Sequence, residues 1–235
     1  MPIRVDLGSM SLRFGKTPPL SVLLVRHGQS ETNVDKSLHG TIADPEVQLT
    51  EKGKSQAKDA GCFLNSWLSE QTKKPVRIYR SDYMRAVQTS DIITNQLDKS
   101  IQFSTRIDER IRELEFGYSD MLSGKEADDF YKHYNAYKEL WDGDAKYYRR
   151  RLGGESPADV GDRLRHFIGA LHRDQDKHGI ETFVVVNHGL TSRVLAKLLL
   201  KQDRQWYAKQ KNPNNCAIRL IVGKTDYGYI QGGTV

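Results

Sequence analysis

Short runs of aliphatic, largely β-branched residues alternate with longer amphipathic segments along this chain, and that alternation limits the fold more than any other feature. Each run has the length of a buried strand and is bounded by polar or turn residues. The four runs are residues 20–25, 76–79, 183–186 and 217–222. Strands that alternate with helices form parallel sheets whose two faces the helices cover. We therefore predict an α/β fold with a mainly parallel central sheet and helices on both faces.

The segments between the runs carry helix signals. Thr50 is a suitable N-cap for a helix with apolar residues at three- and four-residue steps as far as Leu68. Ser156 and Pro157 suit the N-cap and the first position of a second helix. A third apolar stripe occupies residues 190–199. Helices of this kind supply the crossover connections that parallel strands need.

The domain organisation follows from the length and from one atypical segment. A chain of 235 residues has the size of one domain, and no internal repeat divides it. Residues 118–152 crowd Tyr, Lys and Asp together with poor apolar spacing, so we interpret them as a helical flap inserted into a single domain that spans residues 1–235. A Gly-Ser pair directly precedes Met10, which is typical of a cloning remnant. Residues 1–9 are therefore expected to be an expression leader.

The charge balance narrows the class of ligand. The 36 Lys and Arg against 30 Asp and Glu give a net charge of +6, which favours anionic ligands, both phosphate esters and nucleic acid. No nucleic-acid-binding motif accompanies the basic run Arg149–Arg151, so a solvated charged face is the simpler interpretation. The two cysteines, Cys62 and Cys216, show no metal-ligand spacing, and no apolar run is long enough to cross a bilayer. We expect a cytoplasmic protein with no metal, no nucleic-acid partner and no membrane partner.

Two of the predicted strands end in the same dipeptide. His27-Gly28 follows the first run, and His188-Gly189 closely follows residues 183–186. Glycine lets the backbone turn sharply and approach a ligand, and it leaves the preceding imidazole at the rim of the sheet. Because ligands gather at the carboxyl ends of parallel strands, we predict that both imidazoles face one pocket. The alternative for each histidine alone is an ordinary loop position.

Two further side chains fit the same pocket. Arg85 stands in the first turn of a predicted helix, where its guanidinium and the helix N-terminus both favour phosphate oxygens. The alternative is a solvated or salt-bridged arginine. Glu113 lies among arginines and is the candidate acid, with Glu115 as its rival. The alternative for this acid is an ion-paired surface carboxylate.

The order of these elements resembles the histidine phosphatase superfamily, which includes the cofactor-dependent phosphoglycerate mutases. The similarity extends over about residues 21–222. The matching motifs are R-H-G at 26–28, S-x-x-x-R-A-x-Q-T at 81–89, R-E-x-x-F-G at 112–117, G-E-S at 154–156 and H-G at 188–189. R-H-G by itself is a moderate signal, whereas the ordered set is specific to the family.

The resemblance implies a phosphohistidine mechanism that needs no metal and no cofactor. His27 matches the nucleophile of the family, and Glu113 matches its proton donor. Arg26, Arg85 and His188 would surround the transferring phosphoryl group and balance its charge. Four further residues near these motifs are expected to bind substrate, namely Asn33, His39, Arg112 and Gly189.

Departures from the family patterns bear on the choice of reaction. Mutases of the family usually carry Trp before the Asn of the first motif and Asn-Ser after the second His-Gly, whereas this chain has Thr32 and Leu190-Thr191. We therefore expect a phosphatase that acts on a small phosphorylated metabolite. Residues 118–120 are Tyr-Ser-Asp where many family phosphatases have Trp-Glu-Gly, so the substrate stays open. The alternatives are mutase-type phosphotransfer and a non-catalytic scaffold that binds phosphorylated ligands, and both a monomer and a homodimer fit the sequence.

The predicted flap ends in three consecutive arginines. A flap is the segment able to close over the leaving group, and so it is expected to set substrate choice. We hypothesise that Arg149, Arg150 or Arg151 contacts additional phosphates of the substrate.

Overall fold

A six-stranded sheet forms the centre of the protein. The structure, a computed structural model, describes residues 18–122 and 124–234, so the expected leader at residues 1–9 lies outside the described residues. The four predicted runs are all strands, and two edge strands, β3 and β6, go beyond the prediction. The strands are β1 (Ser21–Arg26), β2 (Val76–Arg80), β3 (Phe103–Ile107), β4 (Thr182–Asn187), β5 (Ile218–Val222) and β6 (Thr225–Gln231).

The sheet is mainly parallel, as predicted. Its strand order is β3-β2-β4-β1-β5-β6. Strands β1 to β4 pair with one another in parallel, whereas β5 pairs antiparallel with both β1 and β6. Gly223 in the turn between β5 and β6 has a φ of 59°, a left-handed conformation that glycine adopts readily. The register places Arg26 opposite Asn187, so β1 and β4 end together and the residues that follow them are neighbours.

The helices begin where the capping signals predict. The Thr50 hydroxyl accepts a hydrogen bond from the Gly53 N–H at 3.1 Å at the start of the helix Glu51–Gln71, and Ser156 and Asp159 form a capping box at the start of the helix Pro157–His178. No helix within the described ranges combines the length and the apolar character that crossing a bilayer requires. The helices are α1 (Glu31–Val34), α2 (Glu51–Gln71), α3 (Met84–Thr94), α4 (Gly124–Glu139), α5 (Pro157–His178), α6 (Gly189–Leu199) and α7 (Arg204–Lys209).

Helices cover both faces of the sheet, again as predicted. On one face Leu164 of α5 packs in a core with Val185 of β4. On the other face Leu64 of α2 and Ile93 of α3 pack in a core with Val184 of the same strand. Successive strand residues point to opposite faces, so a strand between two helical layers is apolar along its whole length. This double burial holds the carboxyl end of β4 rigidly at the edge where the site lies.

The predicted flap is helical, with α4 between two short 3₁₀ turns at Gly117–Met121 and Gly143–Tyr147. Its apolar stripe is made of aromatic rings rather than aliphatic side chains. Consecutive ring centroids from Phe130 through Tyr134 and Tyr137 to Trp141 lie 5.7, 6.1 and 6.2 Å apart. Residues three and four apart share one face of a helix, so Phe130, Tyr134 and Tyr137 form an aromatic ladder along α4, and Trp141 extends it just beyond the end of the helix.

Candidate active site

The two histidines that follow β1 and β4 lie side by side. The ring centroids of His27 and His188 are 5.3 Å apart, and their planes are inclined by 58°. His27 is 4% exposed and His188 is 0% exposed. Residues 161 positions apart in the chain meet because β1 and β4 are adjacent parallel strands with matched ends. The structure therefore brings both imidazoles to one place at the carboxyl edge of the sheet.

The His27 ring is held in a defined tautomer. Its Nδ1 lies 2.7 Å from the carbonyl oxygen of Gly28, and since a carbonyl can only accept, Nδ1 carries the proton and Nε2 carries the lone pair. Burial lowers the pKa of His27 well below its ordinary value of 6.5, and the positive charges of Arg85 and Arg26 lower that pKa further. The ring is therefore neutral at pH 7, with a free nitrogen lone pair.

His188 is oriented by residues that follow β2. Its Nε2 lies 3.0 Å from the Ser81 hydroxyl oxygen, and the Tyr83 ring meets it edge-on with centroids 5.2 Å apart. Within the described part of the chain Nδ1 of His188 has no hydrogen-bond partner. Burial holds the pKa of His188 well below 6.5, and the charge of Arg85 and the neighbouring His27 act in the same direction. This second imidazole is therefore also neutral, with one ring nitrogen available to a ligand.

Arg85, in the first turn of α3, is buried and already holds a carboxylate. Its Nη1 donates to the Asp44 carbonyl oxygen at 2.6 Å and to Asp44 Oδ1 at 2.9 Å, and its Nη2 donates to Oδ2 at 3.0 Å. This is the two-pronged geometry in which a guanidinium also binds a phosphate. Asp44 thus occupies donors that an incoming phosphate would use. Sequence reasoning did not single out Asp44, because its partner lies 41 residues further along the chain.

Arg26 is the second cation next to the imidazoles. Its Nη1 donates to the Pro213 carbonyl oxygen at 2.7 Å, while its Nε is buried and has no hydrogen-bond partner among the described residues. Burial lowers the pKa of Arg26, the negative charge of Glu113 opposes that effect, and the charge of Arg85 reinforces it. Gly189 lies beside it, since a Cβ built on Gly189 would stand 3.6 Å from Arg26 Nε.

The Glu113 carboxylate lies against the N-terminus of α6, directly after His188. Oε2 accepts from the Leu190 N–H at 3.2 Å, and Oε1 accepts from the Thr191 N–H at 3.1 Å and from the Thr191 hydroxyl at 3.0 Å. The positive end of the helix dipole favours an anion at this point. Glu115, the rival acid, is exposed, and its backbone is tied to Glu155. Of the two acids, Glu113 is the one placed next to the histidine pair.

The other predicted substrate-binding residues differ in their surroundings. Asn33 Oδ1 accepts from Asn215 Nδ2 at 3.1 Å, and the same Asn215 nitrogen donates to the His27 carbonyl oxygen at 3.1 Å. Asn33 is therefore one residue removed from the nucleophile candidate. Arg112 Nε instead bonds Asp82 Oδ1 at 2.7 Å, and His39 ends a short 3₁₀ turn. No contact joins His39 to either imidazole in the described part of the chain.

Gly28 packs closely against α2. A Cβ at this position would lie 2.4 Å from the Gly53 carbonyl oxygen in α2, and its N–H donates to the Thr89 hydroxyl at 3.0 Å. The backbone after His27 thus approaches a helix as closely as glycine allows. Sequence reasoning did not select Ser81, whose hydroxyl contacts His188. Its position at the start of the S-x-x-x-R motif is the signal that could have identified it.

The charges of the site suit an anion. The buried guanidinium of Arg85 and the half-buried guanidinium of Arg26 stand beside two neutral imidazoles. Among the residues that the structure describes, no three His, Cys, Asp or Glu side chains converge as metal ligands do. The arrangement offers a nucleophilic nitrogen, hydrogen-bond donors and a carboxylate within one group of contacting residues.

Comparison with known proteins places this chain in a family. The family model described as histidine phosphatase superfamily (branch 1) matches residues 22–232. Phosphoglycerate mutase-like protein AT74 of Arabidopsis thaliana is 33% identical over 216 residues, which are 88% of this chain and 66% of that protein. Two solved mycobacterial structures share the fold. Mycobacterial hydrolase 2 has a TM-score of 0.72 at 20% identity and covers 92% of this chain and 93% of its own. The mycobacterial glucosyl-3-phosphoglycerate phosphatase in complex with VO3 has a TM-score of 0.66 at 23% identity, and the match covers 86% of this chain and 92% of that chain.

Proposed function

The chain belongs to the histidine phosphatase superfamily (branch 1), and from that premise we propose that it is a phosphomonoesterase acting through a phosphohistidine intermediate. Its substrate would be a small phosphorylated metabolite. The observation that carries the proposal is the pair of buried, neutral imidazoles of His27 and His188, 5.3 Å apart. Arg26 and Arg85 beside them supply the positive charge that a phosphoryl group requires.

In the first step the Nε2 lone pair of His27 attacks the phosphorus of the ester. The N–P bond forms as the bond to the ester oxygen breaks, and the leaving alkoxide takes a proton from Glu113. The hydrogen bond from His27 Nδ1 to the Gly28 carbonyl oxygen, 2.7 Å, supports this role, because it aims the ring and delocalises the positive charge that develops on it.

In the second step water replaces the imidazole. Glu113, now ionised, takes a proton from a water molecule whose oxygen attacks the phosphorus of phospho-His27. The N–P bond breaks, inorganic phosphate leaves and the neutral imidazole returns. The hydrogen bonds from Leu190 and Thr191 to the Glu113 carboxylate suit this basic role, because they stabilise the ionised group. The acidic role in the first step needs one of those bonds to break.

Charge on the transferring group is balanced by donors that are fixed before substrate arrives. The Ser81 hydroxyl is 3.0 Å from His188 Nε2, and donation from it would put the proton of that ring on Nδ1, ready for a phosphoryl oxygen. Arg26 Nε is likewise a buried donor without a partner among the described residues. Fixed donors in a site of low polarity lower the barrier without reorganising during the reaction.

Hydrolysis of an aryl phosphate tests the proposal. We expect wild-type protein to release phosphate, to become transiently labelled with acid-labile phosphate and to be inhibited by vanadate, which mimics the transferring group. The His27→Ala variant should lose turnover and labelling, whereas the exposed His166→Ala control should keep both. Equal background release by wild type and His27→Ala would contradict the proposal and favour a scaffold that binds phosphorylated ligands.

Mutase-type transfer is separated from hydrolysis by the product. Thr32 and Leu190-Thr191 depart from the mutase pattern, so we expect 3-phosphoglycerate incubated with the bisphosphate primer to yield free phosphate. Formation of 2-phosphoglycerate in preference to phosphate would show that the chain is a mutase. Both products depend on His27, so this experiment distinguishes the reactions and not the mechanism.

A further inference from the structure

The Glu113 carboxylate is held unequally at its two oxygens. Oε1 accepts from the backbone N–H groups of Leu114 and Thr191, both at 3.1 Å, and it lies 3.0 Å from the Thr191 hydroxyl oxygen. Among the described residues, Oε2 accepts only from the Leu190 N–H, at 3.2 Å. Each oxygen of a carboxylate offers about two lone-pair sites. The protein therefore occupies Oε1 fully, and Oε2 is the oxygen that is freer to carry a proton.

Oε2 also lies at the end of α6 that is nearer to the histidine pair. Leu190, which contacts Oε2, comes two residues after His188, the N-cap of this helix, and Thr191, which contacts Oε1, is one residue further along. Burial lowers the pKa of Arg26, and the negative charge of Glu113 opposes that effect, so the carboxylate is close enough to act on this guanidinium. The less occupied oxygen is thus on the side where the phosphoryl group would react.

The Thr191 hydroxyl supplies the one side-chain hydrogen bond to this carboxylate among the residues that the structure describes. The same hydroxyl lies 2.7 Å from the Arg112 carbonyl oxygen. A hydroxyl has a single proton, so the two acceptors share it. Thr191 is 0% exposed, and water therefore does not compete for this bridge. The hydroxyl fixes the carboxylate of Glu113 relative to the backbone that precedes it.

Arg163 of α5 holds that backbone independently of Thr191. Its Nη1 donates to the Arg112 carbonyl oxygen and its Nη2 to the Glu113 carbonyl oxygen, both at 3.0 Å. Glu155 binds the same guanidinium through both carboxylate oxygens, each at 2.9 Å. Removing the Thr191 hydroxyl therefore leaves the Arg112 carbonyl with a donor and leaves the segment in place, so such a change acts on the carboxylate alone.

We propose that Thr191 is the positioning residue of the proposed acid: it holds Oε1 of Glu113, and Oε2 carries the proton that the leaving oxygen receives. The inference rests on the proposed function and assigns its first proton transfer to one atom. As the ester P–O bond breaks, the O–H bond at Oε2 breaks and its proton passes to the leaving oxygen. Glu113 becomes a carboxylate and the leaving group becomes an alcohol. The Leu190 N–H bond, the longest of those to the carboxylate, is the one that yields while Oε2 is protonated.

Leaving groups of different basicity test this positioning. Dinitrophenolate leaves without a proton, whereas phenolate leaves much faster when an acid protonates its oxygen. The ratio of kcat/KM for 2,4-dinitrophenyl phosphate to kcat/KM for phenyl phosphate therefore rises when the acid is misplaced. Because kcat/KM covers the steps up to phosphoryl transfer to His27, the later attack of water does not enter the ratio. The ratio is taken within each variant, so differences in folded fraction cancel.

The Thr191→Val variant removes the hydroxyl and keeps the N–H and nearly the same side-chain shape. We expect it to raise the ratio by roughly tenfold, the effect of losing a hydrogen bond to a charged group. Thr191→Ser restores the hydroxyl and should stay within about twofold of wild type. Ser192→Ala is the matched control, because Ser192 carries a buried hydroxyl on the same helix that bonds Asn187 at 2.5 Å instead. Its ratio should also stay within about twofold of wild type.

The outcomes separate this inference from the proposed function. An unchanged ratio in Thr191→Val, an equal rise in Ser192→Ala, or a ratio that Thr191→Ser does not restore overturns the inference and leaves the phosphohistidine proposal intact. If Thr191→Val does not fold, Thr191→Ala removes the same hydroxyl and is judged by the same criterion. Glu113→Gln should raise the ratio at least as much as Thr191→Val, and its failure to do so rejects Glu113 as the acid together with this inference. Wild type that hydrolyses neither ester rejects the proposed function itself.

Discussion

Replacing Asp44 with alanine should destabilise the free protein and tighten its binding of phosphate. Asp44 holds Arg85 through two carboxylate oxygens and its backbone carbonyl, and the side chains are 17% and 5% exposed. Removing one partner of a buried ion pair leaves the other charge uncompensated and costs about 3 to 5 kcal/mol. Because Asp44 retains some exposure to water, we expect the lower end, about 3 kcal/mol.

Phosphate should reverse part of this loss. In wild type the phosphate dianion competes with the Asp44 carboxylate for Arg85, whereas in Asp44→Ala the guanidinium is free for it. If the variant binds phosphate about tenfold more tightly, saturating phosphate narrows the difference in unfolding free energy by about 1.4 kcal/mol. The difference would then fall from about 3 to about 1.6 kcal/mol.

Urea denaturation of both proteins, with and without phosphate at constant ionic strength, measures these free energies. Asp226→Ala is the matched control, because Asp226 pairs with the buried guanidinium of Arg219 on the hairpin formed by β5 and β6. The difference in unfolding free energy between Asp226→Ala and wild type should be the same with and without phosphate. A difference for Asp44→Ala that phosphate leaves unchanged would refute the assignment of Arg85 as a phosphate ligand.

Three further predictions follow from single contacts. Gly28→Ala should lower the free energy of unfolding by about 2 kcal/mol or more, because the added Cβ meets backbone at 2.4 Å. The control is Gly169→Ala inside α5, whose added Cβ meets only a flexible side chain, and it should raise the free energy of unfolding by about 0.5 to 1 kcal/mol. Equal losses for the two variants in urea denaturation would contradict the close packing at Gly28. Because burial and neighbouring arginines lower the pKa of His27, an NMR titration of the free protein should find its protonation midpoint below 6.5. A midpoint at or above that value would show that burial and the arginines do not lower the pKa of this ring. Ser81→Ala, which removes the Nε2 partner of His188, should lower kcat about tenfold or more with little change in KM, and an unchanged kcat would show that this bond does not position the ring.

The buried strands and their covering helices were predictable because local patterns agree with tertiary burial. The edge strands were not. Phe103–Ile107 is exposed along its whole length, so no side of it needs an apolar pattern. Thr225–Gln231 contains Gly228 with a φ of 71°, which interrupts the alternation that marks a strand. Ile218–Val222 runs antiparallel to Ser21–Arg26, a direction that the apolar pattern of a buried strand does not encode.

The candidate site was predictable where a residue stands at a strand end and hidden where its role depends on a partner far along the chain. His27 and His188 each precede glycine after a buried run, so position and residue type together marked them. Asp44, Asn215 and the bonds of Glu113 to α6 follow from loops that meet only in the folded state. The aromatic ladder of α4 escaped notice because tyrosines, counted as polar, supply half of its apolar face.

The position of β1 in the sheet has a consequence for biosynthesis. This strand is the first among the described residues, yet both of its neighbours, β4 and β5, lie beyond residue 180, and the His27 carbonyl accepts a hydrogen bond from Asn215 at 3.1 Å. A nascent chain that ends before residue 182 therefore exposes an apolar strand without these partners, and the proposed nucleophile lacks its Asn215 contact until residue 215 has been made. A product that terminates before residue 215 thus lacks both the strand pairing and the backbone contact that support the proposed nucleophile.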